Sequence, residues 1–316
     1  MPLNTALVLF EWDNETLAPE QAGSLTGNVI GILSGEYFQA VNNDQVIRLA
    51  EACSRENDLT KAEAAQVREL LKEIEKLSHI PREEYQEYAR LTAESARVWA
   101  AAKNADDFSR FAPVLKEIIN WQKKFAGYRA KPGQKKYDVM LEDYEPGFSV
   151  ERLDEFFDLI RREIVPLLES GGEIRDDFLS GSFPDSVQEK IGRFVAEYVG
   201  FDFSKGVMAV SAHPFTTNLH NKDVRITTHY TDRLDSSLFS IIHEAGHGLY
   251  EFGIRDDLTQ TMAGQGASMG MHESQSRFFE NIVGRSLSFW KPVYGKLQEA
   301  FPENLGQVCL EDFVRA

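Results

Sequence analysis

The chain has 316 residues, of which 42% are hydrophobic and 27% charged, and its net charge is −16. That mix describes a soluble globular protein long enough to bury a substantial core. The acidic balance argues against nucleic acid and anionic membrane surfaces as partners, and no apolar run approaches the roughly 18 residues that span a bilayer.

Residues 1–60 read as short helices interrupted at Pro19, Gly23, Gly27, Gly31 and Gly35, with Trp12, Tyr37 and Phe38 in the core. The apolar stretch ALVLF at 6–10 is too short for a secretory segment, and Glu11 and Asp13 follow it at once. Over 61–79, Val67, Leu70, Leu71, Ile74 and Leu77 recur at helical spacing, with charges on the other face. Pro81 fits the first turn of a helix running to about Lys103. Asp106 or Asp107 opens the next, with Phe111, Val114, Leu115, Ile118 and Trp121 inward.

Gly, Pro and Lys mark a loop over 127–148. Ser149 caps a helix through Leu168, and Asp185 opens one to Val199. From 206 to 230 the composition changes. VMAVSAHPFTTNL and DVRITTHY are rich in β-branched residues, and HNKD between them reads as a turn. Two strands of a small sheet are expected, with Val224, Ile226, Thr228 and Tyr230 on one face of the second and Arg225, Thr227 and His229 on the other.

The stretch Ser237–Gly253 carries His243-Glu244-Ala245-Gly246-His247, an HExxH motif. Leu238, Ile241, Ile242, Ala245, Leu249 and Tyr250 place it on an amphipathic helix, opened by Ser236 or Ser237 and ended by Gly253. Imidazoles four residues apart share a helix face, so His243 and His247 can hold one Zn²⁺. Glu244 then stands where a base can take a proton from water at the open metal position. Gly246 and Gly248 weaken the helix and suggest close approach of another backbone or of substrate.

A catalytic zinc needs a third protein ligand. The next donors are His272 and Glu273 in GMHESQSRFFENIVGR. Neighbours point about 100° apart on a helix, so one of the two faces the ion. Glu273, Arg277 and Glu280 form one strip of that helix. Glu273 is the chosen ligand, with His272 behind the ligands or touching substrate. A plain surface pair of Glu273 with Arg277 is the structural alternative. Between the two helices, TMAGQGAS at 261–268 is a glycine-containing turn.

Several blocks together resemble the M32 metallocarboxypeptidases, the carboxypeptidase Taq group. They are WDNETLAP at 12–19, YDVMLEDYEPG at 137–147, His213-Pro214-Phe215, DVRIT at 223–227, HEAGH at 243–247 and HESQSR at 272–277. The resemblance implies an exopeptidase that removes C-terminal amino acids and disfavours proline there. It implies metal ligands at His243, His247 and Glu273, and a general base at Glu244. It also implies a homodimer and a mainly helical, gluzincin-like fold with a small sheet beside a narrow groove. The HPF block favours substrate binding at His213. Arg225 is expected either to hold a peptide carboxylate by a bidentate bond or to pair with Asp223. One strand of the sheet is expected to pair with an extended peptide.

The reading is a single catalytic domain over 1–316, cut short at its C-terminus because family members continue beyond the position of Ala316. Its helical part is 1–200; a β-hairpin and the metal-site helices fill 201–290. The cofactor is Zn²⁺, with Co²⁺ as an alternative. Cys53 and Cys309, far apart and in no CxxC pattern, suit a reducing cytoplasm. Two rivals stay open: a zinc endopeptidase or oligopeptidase with the same ligands, and an inactive fragment acting as a folded or dimerising module.

Overall fold

The structure is a computed structural model that describes residues 1–172 and 174–316. It divides into two units. The first unit is Met1–Met140 with Asn218–Asn221 and Ile254–Gln265. Its helices are α1 (Pro2–Thr16), α2 (Gly23–Val41), α3 (Asp44–Cys53), α4 (Lys61–Leu77), α5 (Arg82–Asn104) and α6 (Phe108–Arg129).

The glycines expected to break the N-terminal region do not break it. Gly23, Gly27, Gly31 and Gly35 all lie inside the 19-residue α2. They recur every fourth residue and so form one face, and that face lies against α5. A Cβ at Gly31 would meet the Gln86 carbonyl at 3.4 Å, and one at Gly27 the Glu94 side chain at 3.2 Å. Contact between the two helices offsets a helix-propensity cost of about 1 kcal/mol per glycine. Phe38, Val41, Ile74, Leu77, Ile80 and Phe125 form the core beside this pair. The expected 127–148 loop is also corrected: α6 runs on to Arg129, and Lys136–Tyr144 forms α7. Apart from Gly127 inside α6, glycine and proline fall there in the short link and in the turn after Tyr144.

The second unit is Leu141–Thr217, Lys222–Gly253 and Gly266–Ala316. It contains α8 (Val150–Glu169), α9 (Asp185–Val199), β1 (Gly206–Val210), the start of β2 (Thr216–His220) and β3 (Asp223–Thr228). It continues with α10 (Leu234–Phe252), α11 (Met269–Arg277), α12 (Leu287–Trp290), α13 (Tyr294–Ala300), α14 (Pro302–Leu305) and α15 (Leu310–Arg315). As expected, the chain is mainly helical with a small sheet, here of strand order β1-β3-β2.

The long first strand read from the sequence is two strands. Ser211–Phe215 separates them, because Pro214 cannot donate to a ladder. β1 runs parallel to β3, from Gly206 opposite Val224 to Val210 opposite Thr228. Val224 and Ile226 are fully buried and pack with Ala196 of α9 and with Ile241 and Ala245 of α10. Thr227, expected on the opposite face, is fully buried as well, with its Oγ1 accepting from Phe215 N at 2.8 Å. A larger core gathers Leu238 and Ile242 of α10 with Trp290, Leu297, Leu305 and Phe313. These two cores hold α10 on both sides, which fixes the direction its remaining face points.

Candidate metal centre

α10 starts at Leu234, one turn earlier than the serines suggested. Ser237 is buried and donates to Gln188 Oε1 at 2.5 Å instead of capping the helix. Gly253 follows the last turn, as expected. Gly246 lets α11 approach: a Cβ there would lie 2.9 Å from Ser276 Cα and 3.1 Å from Phe279 Cβ. Gly248 faces the Phe201 ring, and a Cβ would lie 2.6 Å from it. The first glycine therefore sets the spacing between the two helices that carry the candidate ligands.

Across that contact, Glu273 Oε2 lies 3.5 Å from His243 Nε2 and 3.4 Å from His247 Nε2. One donor atom from each of the three residues falls within 4.8 Å of the other two. Tetrahedral ligands at about 2.0–2.1 Å from a Zn²⁺ stand about 3.3–3.4 Å apart. Two imidazole nitrogens and one carboxylate oxygen thus fit a divalent ion. The alternative pairing is present too: Arg277 Nε donates to Glu273 Oε1 at 2.7 Å. The two are compatible because Arg277 holds Oε1, while Oε2, which also accepts from Ser276 Oγ at 3.2 Å, faces the imidazoles. Burial pulls the Glu273 carboxyl up, but Arg277 and the His243 charge outweigh it and leave the carboxyl below its ordinary value.

Glu244 is buried at 6% exposure. Thr216 Oγ1 donates to its Oε2 at 2.6 Å. Burial raises its pKa, while the Thr216 bond and the His243 charge act the other way. His247 is pushed down to about 4 by burial, then by its neighbours His272 and His243.

Three partners escaped the sequence reading. Glu280 Oε2 lies 2.8 Å from His243 Nδ1 and accepts from Arg277 Nη1 at 3.0 Å. Glu251 Oε1 lies 2.6 Å from His272 Nε2. Thr216 is the third. Glu280 was visible in the strip with Glu273 and Arg277, and Glu251 follows His247 by one helical turn. Thr216 carried no signal, because it lies in the stretch misread as continuous strand.

The remaining expected residues fall as follows. His272 turns Nδ1 to His247 Nδ1 at 2.5 Å and Nε2 to Glu251. Both ring nitrogens are taken up inside the protein, so of its two expected places the one behind the ligands is the one present. Arg225 sends Nε and Nη2 to Asp223, each at 2.9 Å. Of its two expected arrangements, the Asp223 pair is the one present. His213 is exposed, in the loop leading into Thr216.

The sequence pattern of the carboxypeptidase Taq (M32) metallopeptidases matches residues 1–316. The chain belongs to the M32 family. Carboxypeptidase 1 of Bacillus subtilis is 37% identical over 320 residues, covering 98% of this chain and 63% of that protein. Thermostable carboxypeptidase 1 of Thermus thermophilus is 31% identical, over 96% of this chain and 63% of its own length. A solved structure described as "BsuCP Crystal Structure" is similar at a TM-score of 0.96 and 36% identity, covering 99% of this chain and 64% of that one. The chain therefore spans a little under two thirds of the length of the M32 relatives it matches.

Proposed function

We propose that this chain carries the metal centre of a metallocarboxypeptidase that releases C-terminal amino acids from peptides. The observation that carries the reading is the convergence of His243, His247 and Glu273, with Glu244 beside them, in a chain of the M32 family. Zn²⁺ is the proposed ion, because two imidazoles and one carboxylate are a usual catalytic zinc set, and Co²⁺ is the alternative. When bound, such an ion acts as a Lewis acid and lowers the pKa of water at the open position.

The chain's own groups then have distinct tasks. His243 and His247 present neutral nitrogens, and Glu273 presents one oxygen while Arg277 holds the other. Glu244 takes the proton of the attacking water, while Thr216 donates to its Oε2. Its raised pKa makes it a better proton acceptor than an exposed carboxylate. It then returns the proton to the leaving amine. His213 is proposed to contact the peptide. A reducing cytoplasm and a homodimer complete the proposal, the first supported by the sparse cysteines. Among the described residues, no helix is long and apolar enough to cross a membrane.

The test is peptide hydrolysis by the zinc-loaded chain, with a free and an amidated C-terminus. Release of the terminal residue only from the free acid supports the proposal. Equal cleavage of both peptides would make the chain an endopeptidase instead.

A further inference from the structure

His247 and His243 are supported differently on the side away from Glu273. His243 Nδ1 meets a carboxylate directly, Glu280 Oε2 at 2.8 Å. His247 Nδ1 meets a second imidazole, His272 Nδ1 at 2.5 Å, whose far nitrogen meets Glu251 Oε1 at 2.6 Å. Glu251 is itself buried at 7% exposure. The His272 ring is also clamped. Tyr250 lies against it at 4.4 Å between ring centroids, and a Cβ added to Gly266 would come within 2.9 Å of its Cδ2. Tyr250 is anchored in turn, its hydroxyl accepting from Ala267 N at 3.2 Å.

We infer that Glu251, acting through His272, is a positioning residue that fixes which nitrogen of His247 carries the proton. The inference rests on the metal-site reading above. An ionised carboxylate can only accept, so His272 Nε2 must donate to Glu251. Neutral His272 then has a lone pair at Nδ1, and His247 Nδ1 must donate to it. The only nitrogen of His247 left without a proton is Nε2, the one 3.4 Å from Glu273 Oε2. The chain of bonds runs in one direction, and its origin is the Glu251 charge. Without that charge the His272 ring can carry its proton on either nitrogen, and His247 can present N–H to the metal point. Partners of this kind orient metal-binding imidazoles and change affinity about 10–100-fold when removed.

The test uses the metal-free full chain labelled with ¹⁵N-histidine, read by long-range ¹H–¹⁵N correlation near neutral pH. His247 should appear as the Nδ1–H tautomer and His272 as Nε2–H. Glu251→Ala should turn His247 into a tautomer mixture, leave the His243 signals in place and weaken Zn²⁺ binding about 10–100-fold. Wild-type protein with the His247 proton on Nε2 overturns the inference, as does Glu251→Ala with wild-type tautomer and affinity. If Glu251→Ala fails to fold, His272 variants replace it. His272→Gln keeps an acceptor for His247 and should bind Zn²⁺ more tightly than His272→Ala; equal binding by the two overturns the inference. Wild-type protein that shows His247 as Nδ1–H and His272 as Nε2–H but binds no ion keeps the relay and defeats the metal-site reading alone.

Discussion

Thr216 on β2 donates a 2.6 Å hydrogen bond to Glu244 Oε2 on α10. The same hydroxyl reaches the Glu244 carbonyl at 3.1 Å. The hydroxyl has one proton, and the shorter contact, to the carboxylate, takes it. Thr216→Val keeps the shape and removes the donor. The bond also fixes where the carboxylate points, so hydrolysis near and below neutral pH should fall about tenfold at unchanged zinc content. The bond favours the ionised carboxylate, so its loss should also move the acid limb of the rate profile to higher pH. Steady-state kinetics against pH would check both.

Gly246 tests whether helix spacing builds the centre. Gly246→Ala places a methyl 2.9 Å from Ser276 Cα, which is backbone and cannot swing aside. Overpacking of this kind costs about 1–3 kcal/mol. Urea unfolding should show that loss in the metal-free protein. Zinc affinity should fall too, because α11 carries Glu273.

The metal-free protein should lose stability in mild acid. The His247 imidazole is pushed from 6.5 down to about 4, chiefly by burial. As pH falls below 6.5 the unfolded chain takes up a proton that the folded chain refuses. The contribution of this group is thus complete above 6.5 and lost between 6.5 and about 4. Urea midpoints at neutral pH and near pH 5 should differ in that direction, and the difference should shrink in His247→Gln.

The α2 face predicts a size threshold. A Cβ at Gly31 would sit at ordinary contact distance from α5, 3.4 Å from the Gln86 carbonyl. Gly31→Ala should therefore be neutral or stabilising by up to about 1 kcal/mol through helix propensity. Gly31→Leu should destabilise, as read by thermal melting.

What was legible in the sequence follows from how far each signal reaches. His243 and His247 could be placed because HExxH spacing and the helix period agree within one turn. Glu273 is reached through the His, His, Glu set expected of a catalytic zinc, and its carboxylate lies beside both imidazoles. The glycines of α2 misled because propensity is local, whereas their partner α5 lies some sixty residues on in the chain. Glu251 repeats the step of four from His243 and His247, yet a lone carboxylate on an apolar helix does not announce a histidine partner on α11. Pro214 was in view, but only the folded sheet shows that it ends one strand and frees Thr216 to start another.

The most direct measurement is zinc binding to the chelator-treated chain, compared with Glu273→Gln and His247→Ala. One ion per chain is expected for the wild type, and at least about tenfold weaker binding for each variant. Wild-type and Glu273→Gln proteins that take up zinc equally well would contradict it.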